Sequence, residues 1–168
     1  MYAITKLAGE HAALAYGSGS LVVRAAGLYG LHGSVSKGGN FVQRMLARAR
    51  ETGALKMVAD QLLQPTFTAD LAAAIVDALD RDVDGVLHLT ASDACSWHEF
   101  TVAIMELAGV EVPVEAVSTT IPPGGVDRPL NGVLARPRAD ALGVPALRPW
   151  RSGLEDYMSR AGLAAQLR

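Results

Sequence analysis

The chain has 168 residues, half of them hydrophobic, and a formal net charge of −2. This length and composition suffice for one domain with a buried core, and the balanced charge excludes the basic surface expected of a nucleic-acid-binding protein. The single cysteine, Cys95, excludes an internal disulfide and is typical of a reducing compartment. No apolar run of membrane-spanning length and no signal segment is visible, so we expect a soluble, cytoplasmic protein that has no membrane partner.

The first predicted element is a helix that begins at Tyr2 and ends near residues 16–17. Its apolar residues recur at helical spacing, and the glycine- and serine-rich stretch 17–20 stops it. Tyr2 and Lys6 are four residues apart and therefore share one face. A nearby ammonium lowers the pKa of a phenol, so such a tyrosine can transfer a proton near neutral pH. The same spacing also fits an ordinary surface helix.

The following elements predict a mixed α/β fold. Residues 21–25 form an apolar run with paired valines, which is typical of a buried parallel strand. A strand that follows a helix is half of a βαβ unit, so we expect a parallel sheet whose other strands are missing from this sequence. Further strands are predicted at 55–59, 85–90 and 112–117, and further helices at 41–49, 69–79, 97–108, 136–142 and 154–161, with residues 60–68 irregular.

The predicted helix starts carry recognisable capping signals. Asn40 with Gln43, and Ser96 with Glu99, match the capping-box pattern, and Thr68 is a candidate N-cap for the helix over 69–79. The glycine-rich loop 28–40 can hold a phosphate at the helix that follows, or it is a flexible loop before an ordinary cap. The four histidines lack metal-ligand spacing, so no metal site is predicted from them.

Three arginines lie in or directly after the helix predicted over residues 41–49. Arg44, Arg48 and Arg50 lie close to Glu51, and this grouping predicts the solvated side of a helix.

Several motifs occur in an order that resembles one enzyme family. Residues 2–10 have the pattern Tyr-x-x-(Ser/Thr)-Lys-Leu-Ala-Gly-Glu. This string, followed by the others, resembles the dTDP-4-dehydrorhamnose reductase family of extended short-chain dehydrogenase/reductases. The other matching strings are Leu28-Tyr29-Gly30, Gly39-Asn40-Phe41-Val42, Asp60-Gln61, Pro65-Thr66, Cys95-Ser96-Trp97, Arg128-Pro129 and Pro149-Trp150-Arg151.

The resemblance implies an α/β fold, specifically the C-terminal part of a Rossmann-like extended short-chain dehydrogenase/reductase with a small mixed α/β substrate-binding domain. Residues 1–26 would be the remnant of the NAD(P)-binding domain, and residues 27–168 the nucleotide-sugar-binding domain. In the family, a glycine-rich turn that binds the cofactor pyrophosphate precedes the Tyr/Lys helix. This sequence contains no such turn, so we expect it to lack the N-terminal dinucleotide-binding half and to be inactive alone.

The resemblance also implies an activity, namely reduction by NADPH or NADH of the C4 ketone of a dTDP-6-deoxyhexose in dTDP-rhamnose biosynthesis. Tyr2 would protonate the developing alkoxide, and Lys6 would bind the nicotinamide ribose beside it. Asn40 and Phe41 would border the sugar nucleotide. Arg128 is our candidate for the diphosphate, because a guanidinium matches phosphate geometry, although an exposed loop arginine is equally compatible. Mg²⁺ and a homodimer are further implications of the resemblance.

Two departures from the family leave the particular sugar open. Gly27 and Gly132 stand where many members have, respectively, a tryptophan over the sugar and a hydroxyl residue. Two other functions also remain open. One is a non-catalytic binding module like the β regulatory subunit of methionine adenosyltransferase, and the other is a sister epimerase or dehydratase on another nucleotide sugar. The presence of Tyr2 and Lys6 favours an enzyme, and the Cys95-Ser96-Trp97 string favours the reductase branch.

Overall fold

The computed structural model describes residues 1–32, 38–121, 125 and 128–165. The helices of this part are α1 (Tyr2–Tyr16), α2 (Phe41–Thr52), α3 (Thr68–Asp80), α4 (Trp97–Ala108), α5 (Pro137–Ala141) and α6 (Trp150–Arg160). The strands are β1 (Leu21–Arg24), β2 (Leu28–Tyr29), β3 (Leu55–Val58), β4 (Leu62–Leu63), β5 (Thr66–Phe67), β6 (Gly85–His88), β7 (Cys95–Ser96) and β8 (Val114–Val117). The predicted mixed α/β class is confirmed.

The strands associate in pairs, and most of these pairs are parallel. β1 pairs with β6, with Leu21 opposite Gly85 and Arg24 opposite His88. β3 pairs with β8 and β2 with β5 in the same parallel sense, whereas β4 and β7 are antiparallel. The parallel pairing predicted from the helix-strand order is therefore confirmed, but the expectation that the other strands are missing is wrong, because β6 of this chain pairs with β1. Within the described residues, β1 has no strand on its other edge.

Two hydrophobic clusters form the core. The larger one is built from one face each of α2, α4 and α6, and Val42, Phe100 and Tyr157 are at most 1% exposed in it. The smaller one lies between α3, β6 and α5, with Leu87 fully buried at its centre. The apolar stripe predicted for the helix after Asn40 is one of the faces that the larger cluster buries.

The predicted capping boxes are present, but three other local expectations need correction. Thr68 is the first residue of α3 rather than its cap, because its hydroxyl packs against Gly30, where an added Cβ would lie 2.0 Å from Thr68 Oγ1. Residues 60–68 are not irregular, since β4 and β5 form on either side of Pro65. β1 is half-buried rather than buried, because β6 covers only one of its edges.

The helix α1 contributes nothing to either core. None of its residues is buried, and Ile4 and Leu7 are 70% and 49% exposed. A two-bond ion pair attaches the helix to β1, with Arg24 Nε and Nη2 donating to the Glu10 carboxylate at 2.9 and 2.6 Å. The apolar stripe predicted for this helix is therefore present, and no described residue covers it.

Candidate active site

A cavity of about 420 Å³ opens where three helices begin. Its walls come from described residues on either side of the segment 33–37 (Gly30, His32 and Gly39), from the first turn of α2, from Thr68 at the start of α3, and from Trp97 and Phe100 in the first turn of α4. The N-terminus of a helix carries a partial positive charge from the aligned peptide dipoles. The positive ends of three helices therefore meet around this cavity.

One wall of the cavity is aromatic. The ring of Phe41 lies 4.6 Å from the ring of Trp97 at 45°, and 5.8 Å from that of Phe100 at 19°, measured between centroids. These are the tilted and offset arrangements that aromatic rings prefer. Phe41 and Trp97 are only half-buried, so part of their apolar surface remains accessible. Phe41, predicted from the resemblance to border the ligand, is thus a lining residue of the cavity.

Asn40 holds the cavity together rather than pointing free groups into it. Its Nδ2 donates to the carbonyl of Gly30 at 2.8 Å and to the hydroxyl of Tyr157 at 2.7 Å. Its Oδ1 accepts from the backbone N–H of Gln43 at 3.1 Å, and the Gln43 side-chain oxygen accepts from the backbone N–H of Asn40. Because a side-chain amide has two donor hydrogens, both are engaged, and the residue ties the loop, α2 and α6 to one another.

Tyr29 also lines the cavity, but it is unsuited to proton transfer. It is 2% exposed, and its hydroxyl finds no hydrogen-bond partner among the described residues. Burial, with a smaller contribution from the Asp70 carboxylate, raises the pKa of this phenol far above its ordinary value. Arg148 binds that carboxylate through two hydrogen bonds of 2.8 and 2.7 Å. Tyr29 therefore stays neutral and acts as part of the core.

The structure brings Tyr2 and Lys6 together, as their spacing predicts. Lys6 Nζ lies 5.6 Å from the centroid of the Tyr2 ring, and both side chains are exposed, Tyr2 to 76%. Neither residue lines the cavity. The pair occupies an open face of α1, where no described residue blocks a ligand from approaching the tyrosine hydroxyl.

Two arginines from the sequence analysis are both exposed, but they differ in their position relative to the cavity. Arg128 is exposed in its loop and does not line the cavity, so its predicted contact with a diphosphate remains a prediction. Arg44, assigned to the solvated side of α2, does line the cavity. Its spacing from Phe41 was the available signal, because residues three apart lie on the same side of a helix.

Gly27 lines the cavity in a conformation that disfavours any side chain at this position. Its φ is +59°, and an added Cβ would lie 3.0 Å from both the carbonyl oxygen of Gln64 and the Cα of Pro65. Side chains rarely adopt this region of φ, and backbone atoms cannot move aside as a flexible side chain can. The backbone conformation and the close approach of residues 64–65 therefore favour glycine at position 27.

The described residues contain no cluster of His, Cys, Asp or Glu that could hold a metal ion. The Mg²⁺ implied by the resemblance therefore has no ligand set in this part of the chain. Cys95 is buried, and burial raises the pKa of its thiol to about 12, so it is an unreactive core residue. None of the helices in the described ranges is both long and apolar enough to cross a membrane.

Comparison with known proteins identifies the family. The model of the RmlD substrate binding domain matches residues 1–162. The chain belongs to the RmlD substrate-binding domain family. A dTDP-4-dehydrorhamnose reductase from Mycolicibacterium smegmatis is 35% identical over 161 residues, which make up 95% of this chain and 48% of that protein. This similarity confirms the predicted resemblance.

Two solved structures support the same assignment to the RmlD substrate-binding domain family. A dTDP-4-dehydrorhamnose reductase from Clostridium acetobutylicum has a TM-score of 0.85 at 32% identity, covering 96% of this chain and 55% of that one. The enzyme of the same name from Bacillus anthracis, in complex with NADP, has a TM-score of 0.74 at 30% identity, covering 83% and 47%. The chain therefore spans about half the length of the relatives it matches.

Proposed function

We propose that this chain supplies the sugar-nucleotide site and the proton donor of an NADPH- or NADH-dependent reductase that acts on the C4 ketone of a dTDP-6-deoxyhexose. The proximity of Tyr2 and Lys6 on an open face of α1 carries this proposal. The names of the relatives support the reductase over the binding module and over the epimerase, and the NADP bound by the Bacillus anthracis enzyme supports the cofactor.

In this proposal, Tyr2 donates a proton to the alkoxide oxygen that forms at C4. Lys6, one helical turn away, binds the ribose of the nicotinamide nucleoside. The cofactor, when bound, supplies the hydride, while the protein supplies orientation and the proton. Both side chains are exposed, which fits a site that a dinucleotide-binding half would complete. We propose accordingly that residues 1–26 belong to that half and that residues 27–168 form the substrate-binding domain.

The cavity at the start of α2 is the proposed site of the nucleotide sugar. Phe41 and Trp97 offer apolar surface to a planar base or to the face of a sugar ring, and Asn40 keeps that surface in place. Arg128 remains a candidate for the diphosphate, provided that its loop reaches the ligand. A homodimer and a cytoplasmic location are parts of the same proposal. The single, buried Cys95 is compatible with a reducing compartment.

Product analysis tests the proposal and separates its alternatives. The chain is joined to the dinucleotide-binding half of the Mycolicibacterium smegmatis relative, and the hybrid is supplied with NADPH and a dTDP-4-keto-6-deoxy sugar. Consumption of NADPH with formation of the C4 alcohol supports the reductase. Turnover of the sugar without net loss of NADPH would indicate an epimerase. Binding of the sugar nucleotide without turnover would indicate a binding module.

A further inference from the structure

We propose that Arg44 binds the diphosphate of the nucleotide sugar in the cavity at the start of α2. The inference rests on the proposed function, because it takes the ligand to be a nucleoside diphosphate derivative. It assigns the anionic part of that ligand to a side chain that the sequence had placed on the solvated face of the helix.

The first observation is that Arg44 has no carboxylate partner among the described residues, although it lines a cavity. The residues that line this cavity include no Asp and no Glu. Most arginines in the described part are neutralised by an ion pair. Those paired with carboxylates are Arg24, Arg81, Arg136, Arg138, Arg148, Arg151 and Arg160. The guanidinium of Arg44 therefore keeps its charge and its fork of donors for a ligand.

The second observation is that two backbone donors in the first turn of α2 are already occupied. The N–H of Gln43 donates to Asn40 Oδ1, and the N–H of Arg44 donates to the Asn40 carbonyl at 3.1 Å. Since Asn40 takes up these two donors, neither is available to an anion in the cavity. The dipoles of α2, α3 and α4 add a favourable potential there, and the Arg44 side chain supplies the direct contact.

The third observation is the position of Arg44 relative to the aromatic wall. Arg44 follows Phe41 by three residues and therefore lies on the same side of α2, one turn further along. A nucleoside diphosphate has a flat apolar base at one end and two phosphates at the other. The cavity offers apolar rings and a guanidinium in a matching order, whereas Arg128 lies outside its lining.

Calorimetric titration of the chain with dTDP tests the proposal, with one matched control variant and one comparison variant. Arg48→Gln removes an equally exposed charge one turn further along α2, from a residue that does not line the cavity. Arg128→Gln removes the alternative candidate. We expect Arg44→Gln to weaken dTDP binding about tenfold, as for loss of one charge-assisted hydrogen bond at an accessible site. Arg48→Gln should leave the dissociation constant unchanged, and Arg128→Gln shows whether the other candidate for the diphosphate contributes.

Ionic strength provides a second readout on the same samples. Raising the salt concentration to about 0.5 M should weaken dTDP binding by the wild-type chain more than by Arg44→Gln, because screening removes an interaction that the variant already lacks. Arg44→Lys should fall between the two, since it keeps the charge and loses the fork of donors. A cooperative thermal unfolding transition shows that each variant is folded. If Arg44→Gln does not fold, Arg44→Lys serves as the test variant.

Three results with the variants would overturn the proposal. They are unchanged dTDP affinity in Arg44→Gln, an equal loss in Arg48→Gln, or a loss confined to Arg128→Gln. In each of these cases the wild-type chain still binds dTDP, so the proposed function survives. Absence of dTDP binding by the folded wild-type chain also overturns the assignment of Arg44. The activity of the hybrid enzyme then decides the proposed function separately.

Discussion

Replacing Asn40 by alanine should destabilise the fold more than the loss of an ordinary helix cap does. Loss of an N-cap side chain costs about 1 kcal/mol. Asn40 also donates to the hydroxyl of Tyr157, whose side chain is fully buried, and a buried hydroxyl left without its partner costs about 1–3 kcal/mol. The two contributions sum to roughly 2–4 kcal/mol of the free energy of unfolding, because the variant loses a cap and a contact with α6 together.

Urea unfolding followed by circular dichroism measures this cost, with Ser96→Ala as the matched control. Ser96 caps α4 through a capping box of the same kind, with its Oγ accepting from Glu99 N–H at 3.0 Å. Its replacement should therefore cost only about 1 kcal/mol. Adding Tyr157→Phe to Asn40→Ala should recover part of the difference, since it removes the unpaired hydroxyl. If Asn40→Ala costs no more than Ser96→Ala, the hydrogen bond between Asn40 and Tyr157 does not contribute to the free energy of unfolding, and the reasoning is wrong.

Three further predictions follow from the fold. Gly27→Ala should lower the free energy of unfolding by clearly more than Gly53→Ala, because both glycines have positive φ but only the first would place a Cβ against backbone atoms; equal costs in urea unfolding would contradict this. The hydrogen bond from Arg148 is the largest cause of the lowered pKa of Asp156 in the folded protein. The Arg148–Asp156 pair therefore stabilises the fold fully above the ordinary aspartate pKa near 4, and this stabilisation is lost as the pH falls through the lower pKa of the folded state. Arg148→Gln should therefore flatten the acid loss of stability, and an unchanged pH profile would refute the link. Amide protons of α1 should exchange faster than those of α4, because α1 buries no residue. Exchange in α1 should slow as the protein concentration rises, because its apolar stripe is open to a second chain; equal protection of both helices in a strictly monomeric sample would contradict this.

The sequence predicts the local features of this molecule well. Capping boxes are fixed by residues three apart, so Asn40 with Gln43 and Ser96 with Glu99 could be identified without a structure. The pairing of Tyr2 with Lys6 is equally local, since it depends only on the pitch of one helix. Family motifs then identified the fold class, although spacing alone left the Tyr/Lys pair indistinguishable from a surface helix.

The features that were missed depend on contacts between distant segments. Thr68 has the chemistry of a cap, yet its hydroxyl packs against Gly30, thirty-eight positions earlier in the chain. Arg44 resembles its neighbours on α2 in sequence, and only the loop before α2 and the start of α4 make its side of the helix a cavity wall. The positive φ of Gly27 likewise reflects its contact with residues 64–65. The contacts of Thr68 and Gly27 have no signal in local spacing, and the spacing of Arg44 from Phe41 indicates only that the two share one side of α2.

The most direct test of the proposed function is the turnover number of the hybrid enzyme with Tyr2→Phe. This change removes only the hydroxyl, so the rate of NADPH consumption should fall by about 10²–10⁴-fold while the affinity for dTDP is retained. Tyr16→Phe, at the exposed far end of the same helix, is the control and should leave the rate unchanged. A Tyr2→Phe hybrid that consumes NADPH at the wild-type rate would contradict the assignment of Tyr2 as the proton donor.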